Sequence, residues 1–296
     1  MLTLLRNRFA VLTVAVLLPL LLGVGGCAAP APKAVADWHD AVLAVREQST
    51  TTFHGVNSLV REAQIERSGN LASLKESDFR PGLSATSIAI WNRALDSLVA
   101  YSAALTTLLS PDLATGVGDS AKKLGESIAT TSKTDLLTRR PGLASALGTL
   151  AAKVASLAAG ESAKNIMVQT DGAVNGVLEQ MAKMLSDDSG DEVTGVYASL
   201  DAIWTTKADA IRADFLDAKT PTNRRSVATQ YATVLEQRDA SEAALLGLRA
   251  SLLELGVAHT RAAAGGPMDT SALIANIREQ TAFFKSLLTD LKPAKK

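Results

Sequence analysis

Residues 88–109 read Ile88-Ala-Ile-Trp91-Asn-Arg-Ala-Leu95-Asp-Ser-Leu98-Val-Ala-Tyr-Ser102-Ala-Ala-Leu105-Thr-Thr-Leu-Leu109. Ile88, Trp91, Leu95, Leu98, Ser102, Leu105 and Leu109 fall at alternating three- and four-residue steps over three heptads. That spacing puts them on one stripe of an α-helix, whereas a half-buried strand would alternate every second residue. Ser84, after Arg80-Pro81-Gly82, is placed to cap the helix. Ser110-Pro111-Asp112 ends it and opens another, with serine at the cap, proline at the first helical position and aspartate on the positive end of the dipole.

The same period extends in both directions. Upstream, Val35, Trp38, Val42, Val45, Val56, Leu59 and Ala63 form a stripe with Ser49 and Thr52 in its middle, read as small polar residues between helices. Downstream of Asp112, a weaker helix reaches about Thr130, with Gly116, Gly118 and Gly125 against it. One long helix is expected from Pro141 to Leu185, carrying Leu143, Leu147, Leu150, Val154 and Leu157, then Ile166, Val174, Val177, Met181 and Met184. Gly160 and Gly172 are its points of bending or close approach. Ser186 to Asp191 is a turn, and Val193 to Phe215 a helix ending near Thr220-Pro221. Val227 to Leu255 continue one face to Gly265-Gly266-Pro267, interrupted by Arg238 and Ser241. Ile274, Ile277, Phe284, Leu288 and Leu291 mark the last helix.

Composition agrees. The 296 residues are 47 % hydrophobic and 20 % charged, enough for a packed core, and only 4 % aromatic, which disfavours a β-sandwich. Long helices and short turns predict an all-α fold, an elongated antiparallel helical bundle with long coiled-coil-like helices, spanning residues 34–292 and followed by a polar basic tail, 293–296. Arg-Pro-Gly-Leu occurs at Arg80 and again at Arg140; as a repeat it would mark two equivalent helix starts, on the slender basis of four residues.

The first residues are an address. Arg6 and Arg8 precede an apolar run from Phe9 to Val24, broken by Thr13, Pro19 and Gly23 and ending Val24-Gly25-Gly26-Cys27. The run is short for a spanning helix of roughly 20 apolar residues. Cys27 is the only cysteine, so no disulfide framework claims it. Val24-Gly25-Gly26-Cys27 resembles the bacterial lipobox. The resemblance covers residues 1–27 and implies a cleaved signal peptide (1–26), a diacylglycerol on the Cys27 thiol and an acyl chain such as palmitate on its new amino group. Residues 27–33 then form a short tether to the membrane. Ala28 is not the aspartate associated with retention in the inner membrane, so the outer membrane, facing the periplasm, is favoured for a two-membrane source. The mature chain carries 28 basic and 30 acidic residues, formally −2, which gives no reason to expect nucleic acid.

No recognisable catalytic or metal motif follows. His39, His54 and His259 lie apart, and no HExxH, GxSxG or P-loop is present. Asp37, His39 and Asp40 point in different directions on a helix and read as a solvated helix end. Glu161, Glu179 and Glu192 lack the pattern of a di-iron bundle. Trp38, Trp91 and Trp204 read as core anchors, Met167, Met181 and Met184 as bundle core, and the pairs Arg139-Arg140, Arg224-Arg225 and Lys295-Lys296 as solvated surface.

The sequence therefore predicts a cell-envelope lipoprotein, lipidated at Cys27, with no enzymatic activity, catalytic residue, cofactor or metal. It would act as a scaffold, adaptor or accessory subunit toward an envelope protein or wall polymer. Self-association stays open. Two alternatives belong to other classes. One is a membrane-active protein resembling the α-helical pore formers in outline, although its best segment, Gly142 to Gly160, contains Lys153. The other is a small-ligand sensor or carrier, suggested by Ser49-Thr50-Thr51-Thr52.

Overall fold

A computed structural model describes residues 32–68, 73–109, 117–134, 137, 140–156, 162–185, 196–265 and 270–290. Among them are eight α-helices and no strand: α1 (Pro32–Ser68), α2 (Ala85–Leu108), α3 (Val117–Ser132), α4 (Pro141–Ala155), α5 (Ala163–Leu185), α6 (Val196–Asp217), α7 (Pro221–Ala263) and α8 (Ser271–Asp290), with a 3₁₀ turn at Glu76–Phe79. The fold is the all-α bundle expected of the sequence. Cys27, the signal, residues 27–31 of the expected tether, the Ser110-Pro111-Asp112 start, Gly160, the Ser186–Asp191 turn and the basic tail lie outside the described residues, while Pro32 and Lys33, expected in the tether, already belong to α1. None of the described helices is long and apolar enough to cross a membrane.

Local sequence accounts for the helix ends. Ser84 caps α2, its hydroxyl accepting the Ser87 amide at 3.1 Å. Thr220 caps α7 in the same way, with Pro221 at the first turn. The chain leaves α7 through Gly265, whose φ of 77° is the left-handed conformation that glycine adopts without strain.

Three sequence expectations need correcting. Ser49 and Thr52 do not separate helices: α1 runs unbroken for 37 residues, and both lie buried in it. The Ser49 hydroxyl donates to the Arg46 carbonyl, a turn back in its own helix, which is how a small polar residue is tolerated there. The expected helix from Pro141 to Leu185 is two helices, α4 and α5, packed antiparallel on each other. Apolar stripes on both sides of the break keep the helical period, so periodicity alone ran through it. Finally, Arg80 and Arg140 do not begin equivalent helices. Arg140 is itself the cap residue of α4, whereas Arg80–Leu83 is a loop held by Asn57, which bonds both the amide and the carbonyl of Leu83.

Helix α8 runs parallel to α1, with Gln48 bonding Gln280 and Gly55 facing Phe284 and Leu288, whereas α1 and α2 pair antiparallel. His39 of α1 meets Ser102 of α2, Arg46 meets Asp96, and Phe53 packs on Trp91 with ring centroids 5.3 Å apart. Helix α7, 43 residues and about 65 Å long, is the spine: it packs on α1, α5, α6 and α8. Near its end Leu255 accepts a bond from Trp38 Nε1 at 3.1 Å. Its middle meets α6 through Trp204 Nε1 donating to Ser241 at 2.9 Å. All three tryptophans are core anchors, as the sequence predicts.

Glycine has opposite meanings at two positions. A Cβ on Gly125 of α3 would come within 2.9 Å of the Ala151 carbonyl oxygen and the Ala155 amide of α4, so the two backbones touch there. One on Gly172 of α5 would meet nothing within 4 Å, so this residue permits no close approach. Gly125→Ala is expected to destabilise the bundle by about 1–3 kcal/mol, and Gly172→Ala to stabilise it by about 0.5–1 kcal/mol. Urea unfolding of both variants would show the opposite shifts; two equal shifts would contradict the packing described.

Candidate functional site

Two regions combine geometry that a plain bundle does not need. The first is buried. His259 of α7 is 0 % exposed and sits among residues of three other helices. Its Nδ1 lies 2.8 Å from Asp171 Oδ1 of α5, and its Nε2 lies 3.1 Å from the Tyr101 hydroxyl of α2. Tyr101 also makes a short bond to Thr170 Oγ1. Trp38 of α1 packs edge-on against the imidazole, with centroids 4.8 Å apart, and against Tyr101 at 5.8 Å. Thr260 and Asn175 complete the shell of Asp171: Thr260 Oγ1 donates to its carboxylate at 3.0 Å, Asn175 Nδ2 at 3.1 Å.

The proton positions follow from bonding rules. A carboxylate only accepts, so Nδ1 carries the hydrogen and Nε2 must accept from Tyr101. The chain therefore runs Tyr101 to His259 to Asp171, and the Thr170 hydroxyl, which has one hydrogen, is shared between Tyr101 and the Ile166 carbonyl 2.7 Å away. Electrostatics agrees. Burial pushes the His259 pKa down, against the raising pull of Asp171, so the imidazole is neutral. The bond from His259 holds Asp171 below the usual carboxylate range, although burial opposes it. Burial pushes the Tyr101 hydroxyl well above the usual phenol range.

An acid, an imidazole and a hydroxyl in line have the outline of a nucleophile relay. The surroundings give this one a different role. Tyr101 is 1 % exposed, its hydroxyl is enclosed between Thr170 and His259, and its ionisation is disfavoured, so it has neither access to substrate nor an activated oxygen. The cluster is a polar clasp that fixes α2, α5 and α7 in register. Of Thr170, Tyr101, His259 and Asp171, only Asp171 reaches the surface, its side chain 26 % exposed beside exposed Thr260.

The second region is the far end of α6 and the start of α7. From Arg212 to Ser226 every residue but Ala218 is exposed. The two helices pair antiparallel there, with Arg212 Nη2 donating to the Tyr231 hydroxyl at 2.6 Å and its guanidinium 5.3 Å from that ring. Arg224 lies 5.8 Å from the Phe215 ring and donates to the Ala218 carbonyl. Between the helices opens a groove of about 450 Å³, lined by Ile211, Phe215, Leu216, Val227, Ala228 and Tyr231 beside Arg212. A second groove, about 370 Å³, lies between α1 and α8 and is bordered by the Glu47–Lys285 pair at 3.5 Å.

The residues singled out in the sequence are scattered. Half-buried His39 bonds Ser102, while His54 and Glu179 are exposed. Asp37 pairs with Lys33 and Asp40 is exposed, so the Asp37–Asp40 stretch gathers no common ligand. Met167 and Met181 are fully buried and Met184 partly so, all in the core. Arg225 is exposed. Among the described residues no three His, Cys, Asp or Glu side chains cluster closely enough to hold a metal ion. Sequence reading missed Tyr101 and Asp171. The available signal was a stripe, Leu248, Leu252, Leu255, in which His259 takes the next core position.

What the fold and its contacts define is an all-α helical bundle held by a buried polar clasp and extended by a two-helix arm. Comparison with protein-family models, with curated proteins and with solved structures gives no match.

The clasp makes a pH prediction. Because the folded pKa of His259 lies below its unfolded value of about 6.5, the unfolded chain takes up a proton the folded one refuses as pH falls past that value. Stability is thus fully present above about pH 6.5 and declines below it, by at most about 1.4 kcal/mol per unit for this group. Asp171 acts in the same direction, only at lower pH, within the carboxylate range. Urea midpoints measured from pH 7 to 5 should fall more steeply for the native chain than for His259→Gln; parallel profiles would contradict a buried neutral imidazole.

Proposed function

We propose that the protein is a lipid-anchored cell-envelope lipoprotein that works without catalysis, as a scaffold, adaptor or accessory subunit toward an envelope protein or wall polymer. The observation that carries this reading is Val24-Gly25-Gly26-Cys27 at the end of a basic and then apolar leader. A folded element follows closely: α1 begins at Pro32, five residues after Cys27. Five residues reach at most about 17 Å, so a lipid on Cys27 would hold the bundle against its membrane. Several acyl chains supply lasting attachment at about 0.8 kcal/mol per buried methylene. With Ala28 after the cysteine, the outer membrane is the favoured destination in a two-membrane cell. The Tyr101–His259–Asp171 chain supports a non-enzymatic role, because its hydroxyl end lies enclosed in the core.

In cells fed labelled palmitate, the native chain should carry label and sediment with membranes. Cys27→Ser should lose the label, and the chain should keep its leader uncut. Label on Cys27→Ser, or a native chain that sediments without label, would remove the lipoprotein reading.

A further inference from the structure

Among the described residues, the arm formed by the end of α6 and the start of α7 leaves an apolar seam open. Two antiparallel helices cover only one side of each other's stripe, and further helices normally close the rest. In the body of the bundle α1, α5 and α8 do this for α7. In the arm the groove between Phe215, Val227 and Tyr231 faces solvent, and Leu216 on its lip is 80 % exposed.

We propose that this face is covered by the same face of a second copy, two arms pairing about a two-fold axis into a four-helix unit. The inference rests on the lipid-anchored reading above. The surface carries both halves of a self-complementary contact, with the groove as a hole and Leu216 beside it as a knob. A two-fold axis seats each knob in the other copy's hole. The tether adds orientation. Trp38, near the start of α1, meets Leu255, near the end of α7, so the arm points away from the lipid-bearing end. Its tip at Pro221 lies about 50 Å along the helix from Leu255 at about 1.5 Å per residue. Copies held to one membrane by about 17 Å of chain present their arms in parallel and at one height. Confinement of this kind raises effective concentration, so the contact can be smaller than the roughly 800 Å² per partner of a freely diffusing pair.

Charge fits a like partner. Lys207, Arg212, Lys219, Arg224 and Arg225 are interspersed with Asp209, Asp214 and Asp217, and Arg212 is already paired with Asp209 at 2.9 Å. Asp214 and Asp217 on one copy are thus available to Lys219 and Arg225 of another.

Leu216→Cys tests the pairing in the full lipidated chain, in native membranes, with a short bismaleimide. The Cys27 thiol is occupied by lipid on this reading, so the introduced thiol is the only one free. Glu76→Cys, exposed on the 3₁₀ turn, is the control. The expected result is a product of twice the chain mass, about tenfold more abundant from Leu216→Cys than from the control. Thr222→Cys at the arm tip should give the same dimer and lose it when Leu216→Asp is added. Equal yields, no dimer, or adducts only with other proteins or lipid would overturn the pairing. Palmitate labelling of the native chain is read alongside. Label without dimer overturns the pairing alone; absence of label overturns the tether and the pairing argued from it.

Discussion

One helix has to satisfy two different surroundings, and the architecture follows from how it does so. Over its last 30 or so residues α7 is hemmed in by α1, α5 and α8, and the stripe Leu245, Leu248, Leu252, Leu255 is fully buried. Over its first turns its neighbour among the described residues is α6 alone. A stripe buried on several sides cannot remain wholly apolar when its helix must also hold register against antiparallel neighbours. Apolar contacts are non-directional and tolerate sliding, whereas hydrogen bonds between fixed donors and acceptors do not. His259 and the carbonyl of Leu255 supply that direction, through Asp171, Tyr101 and Trp38.

The clasp illustrates what a satisfied polar network costs and contributes. Leaving His259 Nε2 or the Tyr101 hydroxyl without a partner in the core would cost about 1–3 kcal/mol each. Paired in sequence they cost little and admit one arrangement of three helices. The same geometry that would look catalytic on a surface is a register device when its hydroxyl end is closed off from solvent. Access separates the two readings, because the residue types are identical.

Much of the fold was legible in the residues. The Ile88–Leu109 stripe, the Ser84 cap, the Thr220-Pro221 start and the tryptophan anchors all lie where local rules put them, because each depends on neighbours within a turn or two. The break between α4 and α5 was legible only as a bend at Gly160: it has no proline, and apolar spacing continues on either side. The clasp was hidden for another reason. Tyr101 and His259 are 158 residues apart, and no spacing rule links side chains that only tertiary packing brings together. The arm was half visible. Its helices were expected, and what the sequence concealed was that no third helix among the described residues covers Phe215 and Leu216.

Helix α7 is continuous through both environments, and this shapes how it opens. Backbone amides in its buried part can exchange with solvent only when several helices separate together. Those in the arm need only the α6–α7 pair to part, a local event of much lower free energy. In an isolated copy a single unbroken helix would thus show two protection regimes, slow beyond about Ser241 and fast before Val234, with no kink or glycine between them.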